Sequence, residues 1–419
     1  MVADYIHALR GFSRDVRLYL FTAALLGFTA FGGIYPVLFN LYLLRLGYGP
    51  DFVGTINAIG GLAFALFSLP AGVLSARWGG RRTMIAGLAL AILAFAGLPI
   101  GEFVPAGLRA VWLSGAYLLR AVGFAMYWVN ARPFLISATD IEARSHVYSV
   151  QSAIMPLTGF AGSLIAGLLP GAFAALLSVS LEHPAPYRYP LWSVALMLLP
   201  GLIALKSMGE FSAGQKRHQE RPRGKAPLGP ILLLSLCILL QSTGLNASVA
   251  FFNVYLDDGL SVSTKMIGAI SAVTQLISAL ASLSLPVLAQ RWSKARVFLW
   301  SSIGVAASML PLALVPHWGT AALSYLGLTV LNSIAFPTIN LYQMERVGAQ
   351  WRMTMSGMTS MANGLNYSVT SFLGGYIVAS WGYRPFFLSG AALTLVGALL
   401  FWMTSGSGDE TPVTDETNG

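Results

Sequence analysis

Apolar residues run along this chain in long blocks, with no two-residue alternation. Charge-free stretches occupy residues 18 to 44, 52 to 76, 83 to 101, 147 to 181, 189 to 205, 226 to 256, 266 to 290, 297 to 344, 353 to 383 and 385 to 408. Each approaches or exceeds the roughly 20 residues that carry a helix across a hydrocarbon core of about 30 Å. Residues 297 to 344 are too long for one span, and the turn signal "PHWGT" (316 to 320) divides them into two. Residues 108 to 132 contain Arg109, Arg120 and Arg132 but are otherwise apolar enough to cross. The pattern therefore predicts twelve spans, and helices instead of a β-barrel.

Composition agrees. With 56% hydrophobic residues, 10% charged residues and a mean hydropathy of +0.68, the chain is not a soluble globule. The start "MVADYIHALRGFSRDVR" lacks a short apolar core followed by a small-residue cleavage site, so the first span is expected to be retained. Cys237 is the single cysteine, which rules out an intramolecular disulfide.

Charge then sets the orientation. With the N-terminus inside, eighteen of the 25 lysines and arginines fall in inner segments and five in outer ones. By the positive-inside rule both termini are expected in the cytoplasm, and the protein in the plasma (inner) membrane. The +9 net charge is distributed over the cytoplasmic loops and not gathered on one domain surface, so no nucleic-acid partner is expected. The polar segment 206–227 reads as a cytoplasmic linker between two six-span bundles, 18–205 and 228–404. The bundles are flanked by an N-terminal segment 1–17 and an acidic tail 405–419 expected to be disordered.

The two bundles repeat one another. "FNLYL" (39 to 43) returns as "FNVYL" (252 to 256), "VGTI" (53 to 56) as "IGAI" (267 to 270), and "ARWGGRR" (76 to 82) as "QRWSKAR" (290 to 296). Arg144 precedes Gly167 by the same interval that separates Arg352 from Gly375. Preserved order at nearly constant offset indicates a duplicated bundle, and parallel repeats around a midplane cavity are a transporter architecture.

The stretch Gly72, Leu74, Arg77, Trp78, Gly79, Arg81 and Arg82 between the second and third spans resembles the loop signature of the major facilitator superfamily. Ala76 stands where the family usually has an aspartate, and Gly80 where it often has a basic residue. The resemblance implies an all-α membrane fold of twelve transmembrane helices in two pseudo-symmetric six-helix bundles. It also implies a gating role for Gly72, Arg77, Gly79, Arg81 and Arg82 and for Arg291 and Arg296 in the second copy; the plainer role of those arginines is orientation alone. In this superfamily the first, fourth, seventh and tenth spans line the cavity. "RAVGF" (120 to 124) in the fourth resembles a family motif of an arginine followed by a glycine.

Arg120 is the sharpest candidate, because a charge at mid-membrane depth costs about 3 kcal/mol on insertion scales and must face a cavity or a partner. Its alternatives are a structural arginine bonded to carbonyls and a cation that attracts an anionic or carbonyl-bearing solute. Neutral polar candidates on the four cavity spans are Tyr35 and Asn40, Tyr117 and Asn130, Gln241 and Asn246, and Asn332 and Asn340. Each is equally an ordinary interhelical hydrogen bond. In the fifth span Gly159, Gly162 and Gly167 permit close helix approach, as "NGLNYSVTSFLGG" does in the second half. No carboxylate or histidine lies at mid-membrane depth, so proton coupling is not supported unless a cavity reaches Asp51, Glu102, Asp257 or Asp258; a sodium site of carbonyls and amides stays open, and the coupling ion is undetermined.

The leading reading is a secondary active or facilitative transporter of a small organic solute, working by alternating access as a single chain in the bilayer. An exporter of amphipathic compounds is the alternative. From another class come a polytopic membrane enzyme, for which metal-ligand spacing and acidic or histidine clusters are missing, and a nontransporting sensor. Without a phosphate-binding G-x-x-x-x-G-K-[ST] run or a metal motif, no catalytic residue, cofactor or metal is expected.

Overall fold

In a computed structural model, residues 12–139, 144–209, 228–282, 291–347 and 351–405 are described. Most of the expected linker, the N-terminal segment and the acidic tail lie outside them. Span 1 is formed by α1 (Arg14–Thr29) and α2 (Ile34–Arg45). Spans 2 to 6 are α3 (Pro50–Trp78), α4 (Gly80–Gly97, extended by a 3-10 turn Leu98–Phe103), α5 (Ala106–Ala138), α6 (Arg144–Leu177) and α7 (Ala185–Lys206). Span 7 comprises α8 (Leu228–Gln241) and α9 (Thr243–Val254), closed by a wide turn at Tyr255–Gly259. Spans 8 to 12 are α10 (Thr264–Ser282), α11 (Lys294–Leu314), α12 (Trp318–Arg346), α13 (Arg352–Trp381) and α14 (Tyr383–Ser405). Eleven of these spans are long and apolar enough to cross a membrane by composition. The other, α13, has the length at 30 residues but a more polar stripe, for a reason that the cavity explains below.

The fold reverses the soluble pattern. Leu69, Val111, Leu176 and Trp381 are among the most exposed side chains, while Asn40, Asn57, Asn130, Asn246 and Asn366 are buried. In lipid the apolar faces lie outward and amides hydrogen-bond between helices.

Span 1, expected as one run, is broken at residues 30–33. Gly32 has φ +93°, which an L side chain adopts only with strain, and a β-carbon on Gly33 would collide with the Phe28 carbonyl oxygen. The broken segment packs on α6, where the Ser163 hydroxyl donates to the Gly32 carbonyl. A β-carbon on Gly162 of α6 would likewise run into the Phe28 oxygen. Backbone polar groups freed by a break must be satisfied from a neighbouring helix, and here a serine does so.

The halves meet through two symmetric crossings. A β-carbon at Gly54 of α3 would press into the Ser371 carbonyl and lie 2.8 Å from the Gly375 α-carbon of α13. At its repeat partner Gly268 of α10, the corresponding atoms are the Ser163 carbonyl at 2.6 Å and the Gly167 α-carbon at 2.5 Å on α6. The repeated asparagines add a reciprocal pair: Asn40 Nδ2 donates to the Ala250 carbonyl at 3.0 Å and Asn253 Nδ2 to the Pro36 carbonyl at 2.9 Å.

Outside this pair the Arg45 guanidinium donates to both carboxylate oxygens of Asp257, at 2.7 and 2.8 Å. Their side chains are 12% and 7% exposed. Arg45 Nε also donates to the Leu181 carbonyl at 3.0 Å and lies 3.5 Å from Glu182. The glycine crossings, the asparagine pair and the Arg45–Asp257 bridge, all between halves, gather toward the face carrying Arg45 and Asp257. The opposite face, which carries Arg77, Arg81 and Arg82, is here called the basic face.

Two outcomes are expected of this seam. Valine at Gly268 should drive α10 off α6 and loosen the Arg45 face. In a Cys237→Ser background, maleimide labelling of an Ala58→Cys reporter, buried where the Ser368 hydroxyl donates to the Ala58 carbonyl, should then rise roughly tenfold, the effect of about 1.4 kcal/mol. Unchanged labelling would count against the crossing as the closure. Arg45→Ala or Asp257→Ala alone should destabilise this closed face by about 3 kcal/mol by leaving a largely buried charge unpaired. Thermal unfolding of the double exchange Arg45→Asp/Asp257→Arg should recover most of the loss.

Candidate functional site

Between the halves, on the basic-face side of the two glycine crossings, lies a cavity of about 740 Å³, within the usual range for a small-molecule site. Its walls differ in chemistry. The first half contributes Phe31, Phe64, Tyr117, Arg120, Phe124 and Trp128. The second half contributes Asn246, Asn340, Gln343, Ser356, Thr359 and Asn363, with Tyr367 at the seam.

Arg120 stands in the aromatic wall. Its guanidinium carbon lies 4.1 Å from the ring centre of Tyr117, 5.1 Å from Tyr35 and 5.6 Å from Phe124. Ring faces attract a cation, by about 2 kcal/mol or more where water is excluded, which offsets part of the burial cost. Among the described residues none forms an ion pair with it, and its Nε is buried without a hydrogen-bond partner. A buried donor left unpaired costs more than a paired one returns, so the geometry favours an incoming acceptor.

The tyrosines beneath Arg120 are themselves held. Phe39 stacks on Tyr35 at 4.7 Å and on Tyr117 at 5.2 Å. Asn57 accepts from the Tyr117 hydroxyl at 2.8 Å and from the Tyr367 hydroxyl at 3.3 Å, while its own amide donates to the Val53 carbonyl at 2.9 Å. The repeat reproduces part of this in the other half, where Phe252 stacks on Tyr325 at 3.9 Å.

The amide wall is organised from α13. Asn246 Nδ2 donates to Asn366 Oδ1 at 2.7 Å and to Asn363 Oδ1 at 3.3 Å, and Asn366 Nδ2 to Thr243 Oγ1 at 2.9 Å. Ser356, Thr359, Ser360, Asn363 and Tyr367 recur every three or four residues along one face of α13. That stripe is why this helix is less apolar than the other spans. Gln343 of α12 is fully buried, and neither its Nε2 nor its Oε1 has a partner.

Four of the nine polar residues expected from the sequence, Tyr117, Arg120, Asn246 and Asn340, line this cavity. Tyr35 lies under Arg120, and Asn40 belongs to the reciprocal pair between halves. Asn130 hydrogen-bonds Ser75 and the Met126 carbonyl within its own half, and Gln241 is buried where α8 passes Gly397 of α14. Asn332 lines a separate polar pocket of about 160 Å³ with Asn253, Ser271 and Gln275. Counting only spans 1, 4, 7 and 10 as lining misses the α13 stripe, as well as Asn57, which lies behind the wall and holds Tyr117 and Tyr367; composition does not single out Gln343, and the polar spacing of "SGMTSMANGLNY" (356 to 367) carries the signal for α13.

The hairpin arginines lie at the basic face. Gly79, at φ +89°, ends α3 and begins α4, a conformation that glycine adopts without strain, and Gly72 has room beside Val129. Arg81 donates to the carbonyls of Leu205 and Lys206 at the end of α7, within its own half. Arg77, Arg82, Arg291 and Arg296 are exposed. Several acids of the other face are engaged there: Glu102 pairs with Arg188 at 3.0 Å, Asp257 with Arg45, and Asp258 accepts from the Tyr383 hydroxyl at 2.8 Å.

A family model described as Major Facilitator Superfamily matches residues 20–371 and 234–417. Solved structures similar to the chain include a D-xylose-proton symporter at 15% identity, covering 95% of this chain and 97% of that one with a TM-score of 0.73. A point mutant of the nucleoside transporter NupG matches at 13% identity over 93% and 99%, TM-score 0.72. The xylose transporter XylE from E. coli, in a partially occluded inward-open conformation, matches at 14% identity over 93% and 98%, also with a TM-score of 0.72. The described spans, in two halves around a cavity, share the fold of these solved structures, and with a family model matched over most of its length the chain belongs to the Major Facilitator Superfamily.

Proposed function

We propose that this protein carries a small organic anion across the plasma (inner) membrane, binding its negative end at Arg120. As a member of its superfamily it is a multi-pass membrane protein and a secondary transporter of small solutes that works by alternating access. The single observation that carries the anion reading is the Arg120 guanidinium. It lies in a solute-sized cavity, on aromatic rings, with an unpartnered Nε and, among the described residues, without a carboxylate partner.

The bundles 18–205 and 228–404 are the rocking units in this reading. The basic face is cytoplasmic, with both termini on that side, and one chain suffices. The glycine crossings and the Arg45–Asp257 pair keep the outer side shut while the cavity faces inward. When the cavity closes inward, the exposed Arg77, Arg82, Arg291 and Arg296 come to the new seam. No chemical step, cofactor or nucleic acid takes part, and the protein acts as a carrier and not as an enzyme. A second reading, efflux of amphipathic compounds, is favoured by the aromatic wall of Phe31, Phe64, Phe124 and Trp128.

Binding to the purified protein separates the two. Biphenyl-4-carboxylate should raise the melting temperature where its methyl ester and 4-phenylbenzylammonium do not. Arg120→Gln should weaken the acid by roughly tenfold to a hundredfold, the worth of one charged hydrogen bond. Equal binding of acid, ester and ammonium would support the efflux reading. Uptake and efflux in vesicles with whichever probe binds then give the direction. Arg77→Ala should slow transport at an unchanged amount of inserted protein; an unchanged rate would remove the hairpin from the gate.

A further inference from the structure

The groups left unpaired in the cavity describe a ligand with two different ends. Resting on the Arg120 reading, we propose that the substrate is an elongated aryl or acyl carboxylate whose far end carries an adjacent hydrogen-bond donor and acceptor, of the carboxamide or lactam kind, received by Gln343.

Gln343 is fully buried, lines the cavity, and has an unpartnered donor and an unpartnered acceptor on one planar group. Burial without a partner is costly for each atom, so such a side chain is matched to something that binds. The complement of a carboxamide is another edge with a donor and an acceptor side by side, and not a second carboxylate, which offers acceptors alone. At Arg120 the requirement differs: Nε is a donor on a cation, and a carboxylate fits it.

Spacing separates the two ends. α5 and α12 both run from the Arg45 face toward the basic face. With Ala106 and Trp318, the Arg45-face ends of the two helices, taken as level, Arg120 lies 14 residues into α5 and Gln343 25 residues into α12, a difference of about 16 Å along the helix axes at 1.5 Å per residue. Both side chains lean toward their helix N-termini, so the lean leaves this spacing nearly unchanged. Allowing about 3 Å for a hydrogen bond at each end leaves roughly 10 Å for the body of the ligand. Between the ends Phe124 and Trp128 offer ring surface to an apolar, flat body. A single-ring carboxylate reaches one end; a two-ring one reaches both.

The test uses three acids on the purified full-length protein, with dissociation constants from calorimetry: biphenyl-4-carboxylate, 4′-carbamoylbiphenyl-4-carboxylate and the shorter 4-carbamoylbenzoate. The expected result is that the distal carbamoyl group tightens the biphenyl acid about tenfold, as one well-made buried hydrogen-bonded edge does. Gln343→Leu should abolish that gain, so that the two biphenyl acids bind the variant with the same dissociation constant, while the shorter 4-carbamoylbenzoate should show no carbamoyl gain that depends on Gln343. Gln343→Met, which keeps the length and removes both polar atoms, repeats the measurement if the leucine variant is unstable. No gain from the carbamoyl group in the unaltered protein, or a gain that survives both substitutions, would overturn the two-ended substrate while leaving the Arg120 site standing. Binding of biphenyl-4-carboxylate that is absent, or indifferent to Arg120→Gln, would instead overturn the anion reading and this inference with it.

Discussion

Backbones of two helices touch only where side chains are missing, and in this molecule the two places where the halves approach most closely are built that way. Gly54 against Gly375, and Gly268 against Gly167, bring α3 onto α13 and α10 onto α6 so tightly that a single β-carbon would collide with the opposite main chain. The two crossings are copies of one another under the internal repeat, so the halves are held on both sides of the pseudo-twofold axis at the Arg45 face. Other features of the seam depend on that approach. The reciprocal Asn40 and Asn253 bonds to opposite carbonyls, and the bidentate Arg45–Asp257 pair, form only when the backbones are this near. With one face gathered, the wider basic side leaves the cavity.

Electrostatics give the cavity its asymmetry. One wall carries a cation embedded in aromatic rings, the other a set of neutral amides and hydroxyls. Duplication started both halves from similar sequences, and the stacking of Phe39 on Tyr117 and of Phe252 on Tyr325 still shows it. The same divergence shows at the closed face, where Arg45 and Asp258 are repeat partners of opposite charge and Arg45 pairs with the neighbouring Asp257. Divergence after duplication thus converted symmetric positions into complementary ones. A carrier of an asymmetric solute needs two unlike walls, and a seam that holds needs unlike charges.

Much of the fold is readable from the chain alone. Hydrophobic block lengths give the spans, and "VGTI" and "IGAI" locate both glycine crossings even though their partners cannot be named from them. "FNLYL" and "FNVYL" likewise mark the asparagines of the reciprocal pair. The break in span 1 is not readable, because "AFGG" lies inside an apolar run and a glycine pair alone does not say whether a neighbour will satisfy the freed carbonyl. Ser163 does so from a helix more than a hundred residues away.

The site is legible by half. A lone arginine in an apolar span announces itself through its solvation cost, which is why Arg120 stands out. Asn130 and Gln241 have the same composition-level signature as Asn246, yet they sit in contacts within their own halves, since helix rotation decides which amide faces a cavity and which a neighbour. Gln343 gives no sequence signal: near the end of a span, a glutamine is ordinary. The sequence by itself determined the properties that local energetics dictate: which segments enter lipid, that they are duplicated, and where a buried charge demands a partner. Only the tertiary structure decided which polar groups are left unpaired, because that depends on the angles at which helices distant in sequence are brought together.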